Sequence, residues 1–122
     1  MSCLIYLIED SRDVLSVLKI ILQKNGYSIY EDYNANKLDL NFNPNPDLYL
    51  IDINLNGKNG LDICKQIKLH FSKIPVILMS ANSFLKKLAY ENKADAFLSK
   101  PFYSKDIITR ISALLTYKYE NV

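Results

Sequence analysis

A single histidine, His70, and two cysteines, Cys3 and Cys64, are all that 122 residues offer of those types. One histidine excludes metal clusters and catalytic dyads built on that residue. The two cysteines lack metal-ligand spacing and any extracellular context, so they read as reduced core thiols rather than a disulfide. No apolar run approaches membrane-spanning length. The first one, Cys3 to Ile8, is too short for a signal peptide and lacks a basic start, so the expected address is the cytoplasm. Neither charge sign dominates: 15 basic residues stand against 13 acidic ones. The basic residues are scattered, which excludes the concentrated positive face that nucleic-acid binding requires. Internal repeats are absent, and the only biased tract is asparagine-rich, from Asn34 to Asn45.

The length is that of one domain, large enough to bury its own core without staples. We expect a single domain over 1–122, with its core at about 4–115 and a polar tail at 117–122. Cys3 to Ile8 reads as a first strand, closed by the acid pair Glu9-Asp10. Ser11 caps a helix whose stripe is Val14, Leu15, Leu18, Ile21 and Leu22, with Gly26 as its stop. Ser28 to Glu31 is a short second strand. Asn34 to Asn45 holds five asparagines, with Leu38, Leu40 and Phe42 as its apolar anchors. Asparagine competes for the backbone in helix interiors, so this second helix is expected to be short or irregular.

Leu48 to Ile51 is an unbroken apolar run ending in Asp52, the pattern of a strand buried on both faces. A loop with Gly57 and Gly60 follows. Leu61 to Phe71 reads as a helix facing inward with Ile63, Cys64, Ile67 and Phe71. Ile74 to Met79 is a fourth strand, and Phe84 to Asn92 a helix anchored by Phe84 or Leu85, Leu88 and Ala89. Ala96 to Leu98 is a short fifth strand. Ser104 caps a last helix with the stripe Ile107, Ile108, Ile111, Leu114 and Leu115. This alternation implies an α/β doubly wound sheet of five parallel strands with about five helices; we expect it to take the flavodoxin-like order 2-1-3-4-5.

Ligands bind such sheets at the carboxyl ends of the strands. Those ends carry Glu9 and Asp10, then Asp52, Ser80 and Lys100, with Glu31 and Asp32 as weaker candidates on the edge strand. Strand three lies between strands one and four, so three acids crowd one crevice. Like charges so close repel unless a counter-charge joins them. Carboxylates and carbonyls suit Mg²⁺, with Mn²⁺ as the alternative, and Lys100 adds a mobile positive charge. An acid cluster with a metal, an ammonium and a hydroxyl suits a phosphoryl group, with Asp52 attacking phosphorus to form an acyl phosphate.

From Leu4 to Leu115 the chain resembles the receiver domain of bacterial two-component response regulators. The resemblance rests on Glu9-Asp10, on Asp52 opening the run Asp-Ile-Asn-Leu-Asn-Gly-Lys-Asn-Gly, on Ser80-Ala81, and on Lys100-Pro101-Phe102. Asp10, Asp52, Ser80 and Lys100 stand 42, 28 and 20 residues apart in turn. The resemblance implies that Asp52 is the phosphoacceptor, fed by a histidine kinase or phosphotransfer protein. It implies that Asp10 and Asp52 hold Mg²⁺ directly, Glu9 through water, and Asn54 by its backbone carbonyl. Ser80 and the Ala81 amide would take phosphoryl oxygens beside Lys100, across a cis Lys100-Pro101 bond. Ser80 and Phe97 would be the switch, Phe97 turning inward on phosphorylation. The output face would be the fourth helix, fifth strand and fifth helix, offered to an effector or to a second copy in a weak homodimer of an otherwise monomeric chain. Catalysis beyond the chain's own phosphorylation and dephosphorylation is not expected.

Three departures stand out. Asn56 replaces the family's usual proline, which suggests a looser loop; Asn59 replaces a common acid; and the second helix is eroded. Rival readings are a phosphorylation-independent interaction module, an aspartate-nucleophile phosphatase of the haloacid dehalogenase type, and a flavodoxin-like FMN binder. The phosphatase wants a second acid two residues after its nucleophile, where this chain has Asn54. The acid pair after strand one is hostile to a cofactor phosphate.

Overall fold

The computed structural model describes residues 3–33, 35, 38, 40, 41 and 45–120, those of 118–120 by backbone only. Five parallel strands, β1 (Leu4–Ile8), β2 (Ser28–Asp32), β3 (Leu48–Asp52), β4 (Val76–Ser80) and β5 (Ala96–Ser99), form one sheet in the order β2-β1-β3-β4-β5. The expected order is the one found. Among the described residues four α-helices flank it: α1 (Arg12–Lys24), α2 (Gly60–His70), α3 (Lys86–Glu91) and α4 (Ser104–Glu120). The short or irregular helix expected between 34 and 45, with Phe42 among its anchors, falls largely outside the described residues. Leu38 and Leu40 are described, and both pack against the core.

Strand alternation sorts the core into two layers, because successive side chains point to opposite faces. Tyr6, Ile8, Tyr49, Ile51, Val76, Leu78 and Phe97 face the α2 and α3 side, where they meet Ile63, Cys64, Ile67 and Ala89. Ile5, Leu7, Leu48, Leu50, Ile77, Met79 and Leu98 face Leu15, Leu18 and Leu22 of α1 and Ile107, Ile111 and Leu115 of α4. All of β3 is buried. Both faces of the central strand are therefore covered, as its unbroken apolar run requires.

Ser11 acts as read, capping α1 by accepting from the Val14 amide. Asn59, noted in the sequence only as the replacement of a common acid, caps α2 by accepting from the Leu61 amide. Several boundaries differ. The segment expected as one helix from Phe84 opens as a 3₁₀ turn, Ser83–Leu85, because Asn82 accepts from the Phe84 amide and tightens the entry. Of its expected anchors, Leu85 packs inward and Ala89 is buried. Phe84 and Leu88 point outward, since a helix this short buries only the 85/89 row. The final helix runs on to Glu120, so the segment expected as a tail from Tyr117 is helical as far as that residue. Among the described residues no helix is long and apolar enough to cross a membrane.

The β3–α2 loop is also more ordered than its sequence suggests. Asn54–Leu55 and Lys58–Asn59 pair antiparallel around Gly57, whose φ of 72° needs glycine or a strained side chain. The Asn56 amide donates to Asp10 Oδ2 at 2.9 Å. A loop expected to be loose for want of a proline is instead pinned to the end of β1.

Candidate functional site

Topology brings three strand ends together. β1 and β4 flank β3, so Glu9-Asp10, Asp52 and Ser80 meet at one edge, and β5 delivers Lys100 beside them. Carboxylate oxygens of Glu9, Asp10 and Asp52 lie within 4.8 Å of one another. Glu9 and Asp52 are buried, and Asp10 is partly open to solvent. Lys100 Nζ donates to Glu9 Oε1 at 2.6 Å and to Asp52 Oδ2 at 2.8 Å. The Asn54 amide donates to Asp52 Oδ1 at 3.0 Å, so both oxygens of that carboxylate are oriented. The peptide bond from Lys100 to Pro101 is cis.

One ammonium serves two buried carboxylates, and the electrostatics show it. Burial would pull the Lys100 ammonium down, but the hydrogen bonds and charges of Asp52 and Glu9 hold it above its ordinary value. Glu9 moves the same way despite its ion pair. Burial first, and then the adjacent Asp52 carboxylate, outweigh Lys100 and push Glu9 up to about 7. An isolated pair would instead lower the acid. Here two buried acids divide one cation, and the cluster retains a negative charge that favours a proton or a metal.

A divalent cation fits this donor set: hard carboxylate oxygens converge, the cluster is under-neutralised, and Asp10 keeps contact with solvent. The positive charge of a metal beside the cluster disfavours the proton that Glu9 holds near neutrality. Mg²⁺ affinity is therefore expected to rise between pH 6 and pH 8, by at most about tenfold per pH unit for one displaced proton. Titration calorimetry at several pH values would check this, and flat affinity over that window would remove the coupling. Stability runs the other way. The folded chain keeps the Glu9 proton from its ordinary 4.5 up to about 7. Raising pH through that window therefore costs stability in the metal-free protein.

The edge-strand acids are used elsewhere. Asp32 is buried and accepts from the Tyr6 hydroxyl at 2.9 Å, and Glu31 pairs with Lys19 at 2.9 Å. Neither joins the cluster. Phe97 lies inside, 3% exposed, and its carbonyl accepts from Arg110 Nη1 at 3.1 Å. Ser80 is fully buried at the end of β4, and Ala81, the next residue, is exposed. Sequence reasoning missed Asn82, whose backbone amide donates to Ser80 Oγ at 3.0 Å. Its place just before a helical turn was a capping signal that could have singled it out. His70 is exposed and edge-on to Phe71, remote from this chemistry.

A family model described as the response regulator receiver domain matches residues 5–112. The chain belongs to that family.

Solved structures agree on the fold. A CheY-like receiver domain protein from Methanospirillum hungatei superimposes with a TM-score of 0.91 at 21% identity, over the whole of both chains. A two-component response regulator from Clostridium difficile gives 0.86 at 24% identity, covering 94% of this chain and 97% of that one. The receiver domain of NtrX from Brucella abortus gives 0.85 at 26% identity, covering 92% and 98%. As a receiver domain, this chain carries the acid cluster positioned for a divalent metal and for phosphoaspartate chemistry, with a kinase or phosphotransfer protein upstream and effectors downstream.

Proposed function

We propose that Asp52 accepts the phosphoryl group, with Lys100, Ser80 and the Ala81 amide as its partners. The observation that carries this is the Lys100 amine bridging Asp52 and Glu9 where Asp10 also converges. A carboxylate oxygen of Asp52 attacks phosphorus while the bond from phosphorus to the donor's imidazole nitrogen breaks. The electron pair returns to the imidazole, and hydrolysis later restores the carboxylate. Asp10, Asp52, the Asn54 carbonyl and, through water, Glu9 would hold Mg²⁺ or Mn²⁺, which supplies positive charge against the acids and the phosphoryl oxygens. Lys100 keeps two buried acids ionisable and lies ready to pair with the incoming group.

In this reading Ser80 and Phe97 form the switch. Phe97 is already inside and Ser80 is already held at the site, which supports taking this conformation as the one phosphorylation favours. Turning such an equilibrium from 1:99 to 99:1 needs about 5.5 kcal/mol of differential stabilisation. A few charge-assisted hydrogen bonds to a phosphoryl group have that capacity. The responding face would be α3, β5 and α4. A cleft of about 510 Å³ there is lined by Phe97, Pro101, Tyr103, Lys105 and Arg110, and would take an effector or a second copy in a weak homodimer. The reading also places the chain, a single domain over 1–122, in the cytoplasm.

Incubation with a small acyl phosphate donor and Mg²⁺ tests the central step. The expected product is one acid-stable, base-labile phosphoryl group per chain, mapped to Asp52 by mass spectrometry and absent when the metal is chelated. Incorporation at another residue, or none, would overturn the assignment.

A further inference from the structure

Ser80 is held from two sides. The Asn82 backbone amide donates to its Oγ at 3.0 Å, and the Asn54 side-chain Nδ2 donates to the same atom at 3.3 Å. A serine hydroxyl has two acceptor lone pairs and one proton. Both bonds use lone pairs, which leaves the proton to be given away. Asn54 also touches the acceptor, because its backbone amide sits on Asp52 Oδ1 at 3.0 Å. One residue therefore grips the carboxylate through its main chain and the hydroxyl through its side chain. The side-chain contact spans 26 positions and comes from an otherwise exposed residue, so helix or sheet formation does not account for it.

We propose that the Asn54 side chain is a positioning residue for phosphoryl transfer. By filling a lone pair of Ser80, its amide commits the Ser80 proton to a phosphoryl oxygen on Asp52. This goes beyond the main-chain role of position 54 and rests on the phosphoacceptor reading of Asp52. With alanine at 54, only the Asn82 bond would orient Oγ, and the hydroxyl could rotate its proton away from the site.

A double-mutant cycle in the full chain tests this, read as the rate of phosphoryl incorporation from a small acyl phosphate donor at saturating Mg²⁺. Asn54→Ala is expected to slow incorporation about fivefold, the scale of one hydrogen bond between neutral groups. Ser80→Ala is expected to slow it more. Adding Asn54→Ala to Ser80→Ala should then change nothing. An equal loss in the Ser80→Ala background would overturn the proposal, since Asn54 would then act on the phosphoryl group or the metal directly. NMR of the unphosphorylated protein supplies a readout independent of turnover. Ser80→Ala should shift the Asn54 side-chain NH₂ resonances, and unmoved resonances would overturn the proposal as well. Failure of the parent chain to take up phosphoryl would count against Asp52 as acceptor, while the NH₂ resonances would still decide the Asn54 contact.

Discussion

Asp52→Asn is expected to abolish phosphoryl incorporation and, in the same protein, to flatten the dependence of stability on pH. The first effect follows from chemistry, since an amide has no anionic oxygen to attack phosphorus. The second follows from sharing Lys100. Asp52 accepts from Lys100 Nζ at 2.8 Å and from the Asn54 amide at 3.0 Å, so both its oxygens face donors. An asparagine can offer only one acceptor, so whichever way it turns, its NH₂ faces another donor and one bond is lost. Against that loss, the variant removes a charge from an over-acidic cluster and leaves Lys100 paired one-to-one with Glu9 at 2.6 Å.

Two of the causes that raise Glu9 are the hydrogen bond and the charge of Asp52. Without them, Lys100 acts against burial alone and Glu9 falls back toward its ordinary range. The stability that the parent chain loses on going from about pH 5 to about pH 7 should then shrink, with burial the cause that remains. Thermal unfolding midpoints across that range, measured without metal for both proteins, check the second effect, and mass spectrometry after donor treatment checks the first. Parallel pH profiles would show that Asp52 does not set the Glu9 proton. Residual base-labile phosphate would place the acceptor elsewhere.

Gly60→Ala carries the largest expected cost to the fold. A Cβ at Gly60 would overlap the main-chain carbonyl oxygen of Asp52 and would approach Ile53 Cα to 2.6 Å. Both obstacles are backbone, so neither can swing aside. The Gly60 amide also donates to the Ile53 carbonyl at 2.8 Å, which fixes this approach. Either α2 must move away from β3, withdrawing Ile63, Cys64 and Ile67 from the core, or the Asp52 backbone must shift. We expect about 3 kcal/mol of destabilisation, at the upper end for overpacking, and a fall of roughly 10 °C in Tm.

Gly57→Ala is the control. Its Cβ would meet open space, and its penalty comes from φ alone, about 1 kcal/mol. Chemical denaturation of the two variants side by side would check the ordering. Equal losses would mean that the contact between α2 and the Asp52 backbone is not tight. Because two of the three obstructing atoms belong to the Asp52 backbone, Gly60→Ala should also weaken Mg²⁺ binding under conditions where the variant is fully folded, which Gly57→Ala should not.

Much of this architecture was legible in the chain. A short apolar run such as Leu48 to Ile51, closed by Asp52 and a loop holding two glycines, reads as a fully covered strand, and the stripes of α1 and α4 each show one buried face. Ser11 acts as a cap through a bond only three residues long. Local chemistry of that range is written in adjacent residues. The extension of α4 past Tyr117, and the outward turn of Phe84 and Leu88, were not legible, because polar composition and short length do not specify a helix end or face by themselves.

The sequence by itself determined which residues occupy the strand ends, and hence that acids, a hydroxyl and an ammonium were available at one edge of the sheet. Tertiary structure alone decided how they are shared. Asp32 is diverted to Tyr6, Asp10 takes the Asn56 amide, Lys100 divides itself between Glu9 and Asp52, and Asn54 reaches Ser80. Those partners lie 26 to 91 residues apart along the chain. Periodicity dictates which face a side chain joins, but strand order and register dictate whom it meets there. Where several like charges compete for one cation, the winner depends on a few tenths of an ångström that only the packed molecule supplies.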